Sequence, residues 1–250
     1  MKKILATLAA FAIGFAVAHY SGALTKLALF EGQRALYTKE KLTADLEDSM
    51  PLTLGVLRKH FPADYEVMIT GALNAIKESK DAEAVRLQVS EVVASTRRKY
   101  AAHIAKAGDE QLINLVALTW RLLENVEAGE GPAVCGAVAI NGANAIPIAA
   151  ASKYFSSLDE TGSATFLTIH SGMTAPIDHG QVTNDDWAAI ITILRAGGMT
   201  EEELAVVSSA ASEDSRYCGL IIRFLTAVEN YQGAAGARVR AAFAAEVGAA

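Results

Sequence analysis

Apolar residues recur at three- and four-residue steps along most of this chain, the period of a helix with one covered face. The clearest run is 110–127. Leu112, Leu115, Val116, Thr119, Leu122, Leu123 and Val126 make one wide stripe there, and Arg121, Glu124 and Glu127 occupy the remainder. Upstream, Phe61-Pro62-Ala63-Asp64 reads as a helix start, with proline in the first turn and an acid close behind. Residues 64–79 then place Val67, Ile69, Ala72, Leu73 and Ile76 on an apolar side. A third helix is expected over 81–107, from Val85, Val89, Val92, Val93, Tyr100, His103 and Ile104, with Arg97, Arg98, Lys99 and Lys106 toward its cation-favouring end. The links between these three are short, which favours antiparallel neighbours in a bundle.

The second half carries the same period with more punctuation. Residues 131–152 are uncharged but broken by Gly131, Pro132, Gly136, Gly142 and Pro147, which predicts turns and short helices rather than a membrane span. Residues 161–171 include Thr165, Phe166, Leu167 and Ile169 and suit a strand by composition; a helix is preferred because no pairing strand lies nearby. Thr183-Asn184-Asp185-Asp186 predicts a helix start, Gly197-Gly198 its stop, and Thr200 with Glu203 a capping box. A further helix is expected from Ser212-Glu213-Asp214-Ser215 onward, with Cys218, Ile221, Ile222, Leu225, Val228 and Tyr231 inward. The Ala-rich stretch 237–247 is expected to pack weakly or fray.

The N-terminus differs from the rest. Lys2 and Lys3 precede an uncharged run over 4–25, the order of a segment whose start stays in the cytoplasm. Ala16-Val17-Ala18 is a small-x-small peptidase site. Retained as a helix, the run would extend about 33 Å, enough to cross a hydrocarbon core. The fold class expected is therefore all-α: a multi-helix bundle with an N-terminal signal or transmembrane helix. Residues 1–30 form the leader or anchor with a short extension, 31–130 an N-terminal helical region, and 131–250 a C-terminal helical region sharing one continuous core.

Composition narrows the function classes. The chain has 250 residues, 52% apolar and 20% charged, and a net charge of -6. That balance excludes a disordered chain and argues against nucleic-acid binding, which needs concentrated positive charge. The Arg97-Arg98-Lys99 run is an ordinary solvated helix end, or a contact for anionic lipid headgroups. Cys135 and Cys218 are the only cysteines, an even pair that suggests a disulfide bond in an oxidising compartment.

Candidate chemistry is sparse. The histidines are His19, His60, His103, His170 and His179. His60 reads as an exposed loop residue and His103 as a packed or surface side chain. The candidate catalytic or metal-ligating set is His170, Asp178 and His179: histidine moves protons near neutral pH, and two histidines with a carboxylate suit zinc if they converge. Gly172 and Pro176 lie between them, so no helical register holds them together. No cofactor motif is present. The expectation is a non-catalytic protein of the periplasm or inner-membrane surface that binds a protein partner or a second copy of itself, with lipid contact as an option. The alternatives are a periplasmic hydrolase or metal protein using His170 and His179, and a binder of lipid or another apolar ligand.

Overall fold

A computed structural model describes residues 38–78 and 82–249; the leader or anchor expected over residues 1–30 lies outside them. Among the described residues the chain is all-helical, with eleven α-helices and no strand. The elements are α1 (Lys39–Ser49), α2 (Pro51–His60), α3 (Pro62–Lys77), α4 (Ala82–Ile104), α5 (Asp109–Glu130), α6 (Pro132–Asn141), the 3-10 segments Gly142–Ala145 and Ile148–Tyr154, then α7 (Phe155–Thr174), α8 (Asn184–Ala196), α9 (Glu201–Ser209), α10 (Tyr217–Asn230) and α11 (Gly233–Ala249).

Proline starts α2, α3 and α6, where its missing N–H is no loss. Thr200 caps α9 in the predicted box with Glu203, and the predicted helix start at 183–186 proves to be a second full box, Thr183 with Asp186 at the start of α8. Gly131, at φ 84°, makes the break between α5 and α6 that a residue with a Cβ would resist.

Two helices organise the body. The whole predicted stripe of α5 is buried, and α5 packs against α6, α7, α10 and α11. Helix α7 packs against α2, α4 and α5. Asn125 bonds Ser157 and Thr168 bonds the Gln111 carbonyl, so α5 and α7 run antiparallel. One apolar cluster reaches from Leu42 on α1 to Val247 on α11. Residues 155–174 form a single helix, not a strand. Thr161, Thr165 and Thr168 are buried there because each hydroxyl donates to a carbonyl one turn back, on Ser157, Thr161 and Ala164. Gly172 lets α7 approach the backbone of α4; a Cβ there would collide with the His103 carbonyl oxygen.

Helix α2 owes its start to a residue far away in sequence. It has no cap of its own, but Asp159 of α7 accepts from the N–H groups of Leu52 and Thr53 at 2.9 and 2.8 Å, and the Thr53 hydroxyl donates to the Asp159 carbonyl. Asp159 is 4% exposed. Asp159→Ala is expected to cost about 2 kcal/mol, at the top of the range for a lost cap because the orphaned N–H groups have little water. Urea unfolding checks it; a loss under 0.5 kcal/mol on the order of an exposed substitution would contradict the role.

Three expectations change. Val67 is 61% exposed, and the inward face of α3 is Tyr65, Met68, Ile69, Ala72, Ala75 and Ile76. Turns occupy the approach to α10, which begins at Tyr217 rather than near Ser212. The Ala-rich tail does not fray: Val239, Arg240, Phe243, Ala244 and Val247 are buried, and α11 packs on α4 and α5. Small alanines allow that close approach. Among the described residues no single helix is long and apolar enough to cross a membrane. Cys135, Val138 and Ile146 of the uncharged 131–152 stretch lie in the core.

Candidate functional site

The structure places His170 and His179 against different partners. His170, on α7, lines a groove of about 690 Å³ between α5 and α7. Its ring lies on that of His60, with centroids 3.8 Å apart. His179 lies in the α7–α8 connection and borders a separate cleft of about 670 Å³ with Lys106, Ile177, Arg238 and Ala242. Its Nε2–H donates to the Ala107 carbonyl at 2.7 Å. The Ile177 N–H donates to the Lys106 carbonyl at 2.8 Å. Together these two bonds tie the connection to the short link between α4 and α5. Asp178 is exposed and accepts from the Gly180 N–H, a local turn bond. Among the described residues no three His, Cys, Asp or Glu side chains are grouped to hold a metal ion.

His60 is not on a loop. It ends α2 and is half-buried. The next residue, Phe61, contacts the rings of Tyr100, Phe166 and His170. No sequence rule brings His60 and His170 together, because they meet only when α2 lies along α7.

The α5–α7 groove mixes two kinds of surface. Ile113, Ala117 and Leu167 give it an apolar strip, and Leu167 is 40% exposed. Gln111, Asn114, Ser171 and Thr174 add amides and hydroxyls around that strip, and Arg121 and Glu229 sit at one end. Ser171 Oγ accepts from the Gly108 N–H at the start of α5. Glu229 accepts from the Trp120 indole at 2.6 Å, and the Arg121 guanidinium lies over the same indole. Two small residues, Ala117 of α5 and Ala164 of α7, also line the groove.

Cys135 of α6 and Cys218 of α10 form the expected disulfide, with Cα atoms 5.6 Å apart and both residues fully buried. In the Arg97-Arg98-Lys99 run, Arg98 and Lys99 are solvent-exposed as expected of a helix end, but Arg97 is buried. Arg97 is 1% exposed, and burial pushes its guanidinium down to about 10. Arg98 pairs with Glu91. Lys99 bonds Asp64, which raises its ammonium to about 12.

Two ion pairs on α11 escape any periodic reading. Arg240 is fully buried and spans Asp109 and the last carbonyls of α10. Arg238 grips Asp186 through two bonds of 2.9 and 2.7 Å. The only sequence signal is an Arg-x-Arg pair in an alanine background. The Arg238 guanidinium, more than any other neighbour, holds the Asp186 carboxyl well below the usual range; the Thr183 N–H helps. A carboxyl depressed in the fold contributes stability above its unfolded pKa and loses that contribution as pH falls toward the folded value. Asp186→Asn is therefore expected to narrow the gap between urea midpoints at pH 7 and pH 3. An unchanged gap would mean that the pair adds nothing to acid sensitivity.

Comparison with family models, with curated proteins and with solved structures finds no match to this chain.

Proposed function

We propose that this is a helical protein of the cell envelope whose body lies beyond the inner membrane and binds a polypeptide partner. The observation that carries the reading is the α5–α7 groove. It exposes Leu167 and is lined by Ile113 and Ala117 together with amide and hydroxyl groups. The side chains and backbone groups of a bound segment use such a mixture of apolar and hydrogen-bonding surface. Two further features support the location. The Cys135–Cys218 bond suits an oxidising compartment. The apolar run behind Lys2 and Lys3 suits export or anchoring.

A photo-crosslinking residue at position 167, with the same residue at exposed Ile193 on α8 as control, tests the groove in producing cells. One discrete adduct from position 167 and none from 193 is expected. Equal or absent adducts at both positions would remove the groove from the account.

A further inference from the structure

Helix α2 is fastened to α7 at two points of different chemistry. At its start, Asp159 holds the N–H groups of Leu52 and Thr53. At its end, about three helical turns further along α7, the His60 ring stacks on His170 with planes tilted by 36°. Stacked imidazoles present their ring-nitrogen lone pairs side by side. A metal clamp needs both lone pairs aimed in-plane at one point, so this pair is not built for an ion. Its chemistry is instead the coupling of two protonations: neutral rings attract face to face, and two charged rings at this spacing repel.

Most of the surrounding carboxylates are engaged elsewhere. On α2, Lys59 adds a positive charge beside His60, and Arg58 is occupied by Glu47 of α1. From α3, Asp64 is engaged by Lys99 and Tyr100 of α4. Lys153, on the 3-10 helix that packs on α7, is paired with Glu130. On α7 itself, Asp159 serves the other end of α2. Glu110 of α5 is the carboxylate that shares the groove wall with His170.

α2 and α3 meet at the single residue Phe61, and no side chain caps the start of α3. We propose that the His60–His170 stack is a proton-operated latch, which holds the last turn of α2 on α7 near neutral pH and releases it on acidification. Burial, then His170 and Lys59, push the His60 imidazole below its ordinary value. The folded chain therefore binds fewer protons than the unfolded one as pH falls through the ordinary histidine range. The stability tied to the latch is complete above that range and is lost as pH falls through the lowered value. This inference is independent of the partner-binding reading, because it concerns only the chain's own packing.

Two measurements on the full chain test it. Carbon-detected titration of the histidine rings should show His60 taking up its proton at a lower pH than an ordinary histidine. A His60 step at the value of free histidine would overturn the latch. Hydrogen exchange by mass spectrometry at pH 7.5 and 5.5, with the intrinsic pH effect on exchange removed, should show peptides from residues 51–61 losing protection severalfold at the lower pH. Peptides from residues 217–230 should hold. His60→Gln and His170→Gln should each flatten the loss. Unchanged protection at 51–61 in the wild type, or an undiminished loss in a folded variant, would also overturn it.

Discussion

Replacing Arg240 with methionine is expected to destabilise the protein by about 4 kcal/mol, the cost of leaving several buried carbonyls without a donor. The Arg240 guanidinium donates to the carbonyls of Val228, Glu229 and Tyr231 at 3.1, 3.3 and 2.6 Å, closing the end of α10. Its other edge makes two bonds of 2.8 Å to Asp109, the first residue of α5. Methionine fills comparable volume but leaves those carbonyls without a donor, and each unsatisfied buried group costs about 1–3 kcal/mol. Asp109 is 41% exposed, so its stranded charge recovers water and adds little to the loss. Lysine should recover no more than about half of the loss, since one ammonium lacks the planar fork that serves both sides. Urea unfolding followed by tryptophan fluorescence checks both variants. A methionine variant within about 1 kcal/mol of wild type, the size of an ordinary exposed hydrogen bond, would show that the end of α10 holds without this side chain.

Opening the Cys135–Cys218 bond is the second large effect. It closes a segment with a sequence separation of 83 residues, running from α6 through α7, α8 and α9 into α10. Restraining an unfolded loop of that length stabilises a fold by about 4 kcal/mol in the chain-entropy account. Unfolding curves with and without a thiol reductant present should differ by that order. Because both cysteines are fully buried, reductant should attack the native protein only as fast as it unfolds. Rapid reduction under native conditions, or coincident curves, would contradict this role.

Helix existence was legible wherever packing is local and repetitive. The stripe of α5 is buried residue for residue as its spacing predicts, and the Thr200 capping box sits where its short-range pattern places it. The cysteine pair was legible as an even count, though its geometry was not. Long-range polar partners were not legible. Asp159 caps a helix that begins at Pro51, and nothing in either local sequence links them. Arg240 interrupts an alanine stretch, and a buried arginine has no periodic signature because its burial depends on carbonyls supplied by another helix. The same limit applies to the histidines. Sequence proximity favoured His170 with Asp178 and His179, whereas packing of α2 along α7 gives His170 the ring of His60. The strand-like composition of 161–171 gave way to helix because threonine hydroxyls can be satisfied within the helix itself.

The most direct test of the envelope reading is the intact mass of the chain recovered from acid-quenched cells and alkylated in denaturant without reductant. The account predicts no alkyl group on Cys135 or Cys218. Two alkyl groups on a chain that still begins at Met1 and fractionates with the cytosol would contradict it.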